Sequence, residues 1–377
     1  MKLLYVTENI NAVFHSQVVV LLNKLQEEEY FEEIHLAIGI RDRNTLDKIE
    51  HLDSKIKLIT FKTYPMYPIF NSLTEYSILK LMKSMKIDQQ YIIHTRIEFL
   101  GSLVYNSYIK LHSQKPNLLI DIRGSLIEEI KIYGKMNYLF KLFKLFNYES
   151  RIQKVLTNTK YINTVSNELK NYIELKYNIN KKYISVIPTI ASEKFVYNKE
   201  IRIKTRNILG LKDSDIFFIF SSGSTQGWQN DDLIVNTLIN KGYKILMLTK
   251  KKYDNFNVIS KFVPYEEVPN FLNAADIGII IREKDTVNKV ASPIKFSEYL
   301  SCGLPIIAND SVKIITDLIK NHSCGLITNI EDINDDAIEK LLQLDRVKIS
   351  ELGLNKFGIK VIVDNYISIY KKMSPSI

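Results

Sequence analysis

The sequence predicts an α/β protein built from two doubly wound parallel-sheet domains in tandem. Three observations carry that expectation. Short, almost wholly apolar runs alternate with longer amphipathic stretches along the whole chain, the pattern of buried parallel strands joined by covering helices. The runs fall into two series divided by a polar stretch, "TIASEKFVYNKEIRIKTRN" at 189–207, which reads as the passage between domains. The length of 377 residues, 46% of them hydrophobic, is enough for two separate cores.

The strands of the first series are expected at 2–6 (KLLYV), 33–39, 55–60, 91–94 (YIIH), 117–122 (NLLIDI), 161–165 and 183–188. Those of the second are expected at 216–220 (IFFIF), 244–248 (KILML), 257–260, 276–281 (DIGIII), 304–308 (LPIIA) and 325–328. This gives a first domain at 1–190, a second at 191–357, and a last helix at 358–377 that is free to cross back to the first. No fixed-period repeat or low-complexity segment interrupts the pattern.

Lys and Arg exceed Asp and Glu by 51 to 42, a net charge of +9 that suits anionic partners such as nucleotides, nucleic acid or an acidic membrane face. The first apolar run breaks after four residues at Thr7, too short for a signal-peptide core. No run approaches the roughly 20 apolar residues of a membrane span. Cys302 and Cys324 lack metal-like spacing and read as buried thiols of a protein in the reducing cytoplasm.

The richest motif is "SPIKFSEYLSCGLPIIAND", 292–310. Ser292 reads as an N-cap and Pro293 as the first helical residue. Lys295 then puts a cation at the positive end of the helix dipole, where a capping box would place Glu or Gln. A bound anion resolves that conflict. The stretch follows a strand, so the first amides would emerge at the carboxyl edge of a parallel sheet, ready for a pyrophosphate. Glu298 shares a helix face with Ile294 and Lys295 and could accept both hydroxyls of an attached ribose. The same spacing also suits a solvated Lys–Glu pair on a surface helix.

A second signal is "IFFIFSSGSTQGWQNDD", 216–232, an apolar strand entering a Gly/Ser loop around Gly223 and Gly227. Small residues let backbone approach a phosphate, yet the loop has neither P-loop nor dinucleotide-fold spacing, so a plain turn fits equally. In the first half, "HTRIEFLG" (94–101) and "IDIRGSLIEE" (120–129) place polar pairs at strand ends. Asp121, Arg123 and Arg96 are the groups aimed at a reaction centre there, or else an internal pair bracing loops. His94 reads as a core histidine. His15, with Ser16 beside it, follows the first strand and is the better acceptor-side candidate. "KDSD" at 212–215 looks like a metal-binding pair of aspartates but stands before a strand, as a turn would.

Taken together, "SPIKFSEYLSCGLPII", "FSSGSTQGWQ", "VSNELKNYI…ISVIPT" and "IDIRG" resemble the signatures of bacterial family 4 glycosyltransferases of the GT-B fold, especially those that make surface polysaccharides. The resemblance implies two facing Rossmann-like domains with a cleft between them, and a nucleotide-sugar donor held by the second. It implies an acceptor, a glycan or lipid-linked glycan, bound mainly by the first. Neither metal nor cofactor is expected, since the nucleotide sugar is itself a substrate, and the reaction retains anomeric configuration.

Carried onto this chain, the family pattern gives Pro293, Ile294 and Lys295 the donor pyrophosphate and Glu298 the ribose. Gly223 and Ser224 line the sugar-phosphate, and Phe262 meets the base. Many members carry Glu eight residues before the ribose-binding carboxylate, where this chain has Val290. Arg282, Asn288 or Ser292 would then serve the sugar.

Finally, 131–154 combines six basic and six aromatic residues with a single acid, Glu149. Such a segment suits an interfacial helix drawn to anionic lipid, which would place the protein on the inner face of the cell membrane. The core-type spacing of Leu139, Phe143 and Phe146 equally suits a helix packed inside. Two rivals to glycosyl transfer remain. A nucleotide-sugar epimerase on the same plan would use the donor alone, and a nucleic-acid-binding protein would need contiguous basic stripes with stacking aromatics. The single phosphate-sized motif speaks against nucleic acid.

Overall fold

The computed structural model describes residues 1–374 other than 9, 11, 12, 42–48, 66, 213 and 222–230. They form two compact units, Met1–Pro188 together with Val363–Ile377, and Thr189–Ile362. The first contains β1 (Lys2–Thr7), β2 (Glu33–Ile40), β3 (Lys57–Lys62), β4 (Tyr91–Arg96), β5 (Leu118–Ile122), β6 (Tyr161–Thr164) and β7 (Ile184–Val186). The second contains β8 (Phe217–Ser221), β9 (Lys244–Leu248), β10 (Val258–Lys261), β11 (Ile277–Ile280), β12 (Ile306–Ala308) and β13 (Gly325–Ile327). Every strand expected from the sequence is present. β3 starts two residues late because a turn at Asp53 consumes Lys55 and Ile56: the Asp53 carboxylate accepts from the Lys55 amide at 2.7 Å and its carbonyl from that of Ile56.

The first sheet runs in the order β3-β2-β1-β4-β5-β6-β7 and the second in the order β10-β9-β8-β11-β12-β13. All pairs are parallel, β1 aligning Lys2 with Glu33 of β2 and with Tyr91 of β4. This is the doubly wound order in which the winding reverses once. Reversal falls between β1 and β4 in one unit and between β8 and β11 in the other, and ligands of such sheets bind at the carboxyl ends of those strands.

The strands read as continuous apolar runs because both faces are covered. In the second unit Phe217 and Ile219 of β8 join one apolar cluster with Leu246, Leu300 and Ile306. Phe218 and Phe220 join another with Ile245, Ile277 and Ile307. The amino edge of this sheet is braced by Asp276, which accepts from the Phe217 amide at 2.8 Å and from Arg206 at 3.2 Å, with Arg202 also bound to it.

Two glycines seat the Ile294–Ser301 helix. A Cβ on Gly278 of β11 would stand 2.5 Å from a ring carbon of Tyr299, so the missing side chain is the space the ring occupies. A Cβ on Gly353, in the helix Arg346–Phe357, would stand 2.4 Å from the Ser301 amide nitrogen. Both neighbours are fixed, one by burial and the other by backbone. Gly353→Ala is therefore expected to push the two helices apart and cost about 1–3 kcal/mol, read as a lowered midpoint in thermal or denaturant unfolding. An unchanged midpoint would show that the contact yields freely.

Candidate functional site

The Ile294–Ser301 helix starts one residue later than its sequence suggests. Pro293, at φ −66° and ψ 129°, is the N-cap, and no side chain caps the helix. Ser292 is drawn away instead. Its hydroxyl lies 3.2 Å from the Thr189 hydroxyl and also accepts from the Thr189 amide. Pro293 has no N–H to give, and the Phe296 amide is already bonded to the Pro293 carbonyl at 3.0 Å. The amides the helix can offer an anion are thus those of Ile294 and Lys295.

Behind them lies Glu298, with 1% of its side chain exposed against 26% for Lys295. The Lys295 ammonium donates to its Oε2 at 2.8 Å. So the i, i+3 pair forms, but its acid is buried rather than solvated. Burial pushes the Glu298 carboxyl up, while the Lys295 charge pulls the other way. Among the described residues nothing donates to Glu298 Oε1. A buried acceptor without a donor costs roughly 1–3 kcal/mol, which a bound donor would return.

The helix is fixed to the reversal point between β8 and β11. Tyr299 lies over Gly278 and its hydroxyl accepts from the Ser221 amide at 2.8 Å, at the last residue of β8. Sequence reading missed this, although an aromatic one residue past Glu298 facing a glycine in the preceding strand was the available signal. Gly223 and Ser224, just beyond Ser221, lie outside the described residues, as do Gly227 and Trp228. On the other side of the reversal Arg282 follows β11. Its carbonyl accepts from Asn309 at 2.7 Å and from Ser311 at 2.9 Å, pinning the loop, and its charge reaches Tyr299.

Asn288 is committed to its own helix start, bonding Asp285 through both its amide and its side chain. Phe262, past β10 on the same edge of the sheet, is 66% exposed, with the Lys250 ammonium 4.7 Å from its ring centre. Asp215 accepts from the Lys212 amide at 2.9 Å and so closes the expected turn.

The first unit gathers a different set at the carboxyl ends of β1, β4 and β5. Asp121, buried, accepts from Asn163 at 2.8 Å, Tyr366 at 3.2 Å and Arg123 at 3.4 Å. Arg123 also donates to Gln17 at 3.3 Å. His94 is fully buried, with Nδ1 2.7 Å from the Tyr370 hydroxyl and Nε2 3.7 Å from Asp121. Burial alone would raise Asp121, but Arg123, His94 and Arg96 outweigh it and hold the carboxyl well below the usual carboxylate range. Asp121 and Arg123 are thus paired at the carboxyl end of β5.

Ser16 is buried and donates to the Val13 carbonyl at 3.2 Å, while the His15 ring stands edge-on to that of His51. Both lie in a short π-helix, His15–Val19, of the kind often found at functional sites. Two features left no trace in the sequence. Ile97, between β4 and the helix Glu98–His112, holds φ at +78°, a strained setting for a β-branched residue. Burial pushes the carboxyls of Glu8, after β1, and Glu98, after β4, up to about 7.

Residues 241–351 match the family described as "Glycosyl transferases group 1". A sucrose-phosphate synthase structure from Thermosynechococcus elongatus superposes over 99% of both chains with a TM-score of 0.72 at 14% identity. The fold is GT-B.

Among curated proteins, the chitobiosyldiphosphodolichol beta-mannosyltransferase of Debaryomyces hansenii is 23% identical over 72% of this chain. The tRNA modification GTPase MnmE of Petrotoga mobilis is 26% identical over 74% of it. The chain spans 63% of the length of each of these relatives. The sequence has no G-x-x-x-x-G-K-S/T loop, the phosphate-binding device of P-loop GTPases.

Removing one partner of a buried ion pair leaves the other charge uncompensated. Asp121→Ala is accordingly expected to cost about 3–5 kcal/mol in denaturant unfolding. Because the folded carboxyl is held low, its stabilisation is complete above the ordinary carboxylate pKa and is lost as pH falls through the depressed folded value. Asp121→Asn should lack that part of the acid sensitivity. Acid unfolding curves that coincide for wild type and Asp121→Asn would contradict the assignment.

Proposed function

We propose that the protein transfers a sugar from a nucleoside diphosphate to a hydroxyl of a glycan or lipid-linked glycan. One observation carries this reading: the buried Glu298 Oε1, without a donor among the described residues, one turn below uncapped amides and beside Lys295. A ribose supplies two hydroxyl donors to such a carboxylate, and its attached diphosphate supplies acceptors to the Ile294 and Lys295 amides. The group 1 glycosyltransferase match, which includes this segment, supports the same assignment.

As the bond from sugar to phosphate breaks, negative charge gathers on the leaving diphosphate while the sugar becomes cationic. Amides and an ammonium already in place stabilise that charge without reorganising. Gly223 and Ser224 would line the sugar-phosphate, Phe262 the base, and Arg282 or Ser292 the sugar. His15, Ser16 and Arg96 belong to the acceptor side. Asp121 and Arg123, at the carboxyl end of β5, would face the reaction centre together with Lys295. Retention at the anomeric carbon, independence from metal and a role in surface polysaccharide synthesis complete the proposal.

Losing a hydrogen bond to a charged partner costs roughly 1.5–3 kcal/mol, so Lys295→Ala and Glu298→Gln should each lower kcat/KM about tenfold to a hundredfold. Thermal-shift screening against UDP-, GDP- and CDP-sugars finds the donor, and that donor with candidate acceptors gives the rate and the anomeric configuration of the product. Near-normal turnover in both folded variants would remove the site assignment. Conversion of the nucleotide sugar without acceptor would replace transfer by epimerisation.

A further inference from the structure

The helix Tyr138–Asn158 carries two apolar faces, and one of them is bare. Leu145, Tyr148, Ile152, Val155 and Leu156 are buried. Leu139, Phe143 and Phe146, whose spacing suits a core face equally well, are 76%, 53% and 76% exposed. The core reading of that stripe is thereby corrected: the helix's packing is supplied by the other face, and this one looks outward over its first two turns. Leu142 and Tyr138 extend it. No described helix is long and apolar enough to span a membrane, so the stripe can at most lie along a surface.

Beside the stripe a cavity of about 720 Å³ opens, lined in part by Arg41, Lys135, Lys144, Tyr67, Phe140 and Ile69. Its size is that of a site for a small organic ligand. Among the described residues, Lys135 and Lys144 form no ion pair, whereas the Arg41 charge acts on the buried Glu8 carboxyl and the nearby Lys131 is matched by Glu128 at 3.0 Å and by Glu149. Lys144 lies over the Tyr148 ring at 5.3 Å, and Tyr67 meets Phe140 edge-on at 5.0 Å. Two lysines with no ion pair among the described residues, together with Arg41, in an aromatic pocket next to an outward apolar stripe, make an amphipathic receptor.

We propose that this cavity takes the phosphate-bearing headgroup of one anionic membrane lipid while the stripe of Leu139, Leu142, Phe143 and Phe146 enters the acyl boundary of the same leaflet. The occupant is set by the pairing of charges with apolar area. A free phosphate would leave the stripe in water, and a protein partner would have no reason to supply a phosphate at one end of an apolar strip. This inference does not rest on the transfer reaction.

The test uses the full chain and co-sedimentation with vesicles of phosphatidylcholine alone or containing phosphatidylglycerol. Binding is expected only to the anionic vesicles and should weaken as salt is raised. Lys135→Glu with Lys144→Glu, and separately Leu139→Ser with Phe146→Ser, should each lower the partition coefficient by at least about tenfold. All four positions lie outside the buried cores, and far-UV circular dichroism checks that both variants fold.

Glycerol 3-phosphate in solution should fail to release the protein. Wild type that stays in the supernatant, either variant sedimenting like wild type, or release by the soluble headgroup would overturn the proposal. So would concentration-dependent self-association that the Leu139→Ser, Phe146→Ser variant abolishes, without lipid binding by the wild type.

Discussion

The candidate site depends on how one tyrosine ring is seated. Tyr299 occupies the volume that a side chain at Gly278 would fill, and its hydroxyl holds the amide at the end of β8. This single contact ties the Ile294–Ser301 helix to both strands flanking the winding reversal. Remove the ring or fill the glycine, and the helix start has no reason to point at the carboxyl edge of the sheet. The amides of Ile294 and Lys295 gain their meaning from that direction, since a helix N-terminus attracts anions wherever it lies but serves a site only where the fold delivers a ligand.

Division of labour within the second unit follows from the same sheet. Its amino edge carries a charge cluster, Asp276 with Arg202 and Arg206, in which both carboxylate oxygens accept hydrogen bonds. The carboxyl edge carries a carboxylate left half satisfied. Buried polar groups are normally paired because desolvation is costly. The contrast between the two edges is what sets the carboxyl edge apart as the candidate site.

Much of this was legible in the residues. Strands buried on both faces write themselves as unbroken apolar runs, and all of them could be placed. The Lys295–Glu298 spacing was readable because it is local. What failed was non-local. Ser292 is a sound N-cap by sequence, yet its hydroxyl is taken by Thr189, about a hundred residues earlier, so the cap passes to Pro293. The stripe at 139–146 shows its apolar period plainly, but periodicity states that a face exists and not what covers it. The brace of Asp121 uses Tyr366 from the end of the chain, a partner no local reading supplies.

Ile97 has a consequence for how the net stability of the first unit is distributed. A branched side chain held at positive φ costs on the order of 1–3 kcal/mol, against a typical total of about 5–15. The rest of the unit carries that penalty at one peptide next to β4, where the Ile97 amide is nonetheless bonded to the Asp121 carbonyl at 2.9 Å. An engineer seeking a hardier protein would therefore look to this residue, where glycine adopts the same φ without the penalty.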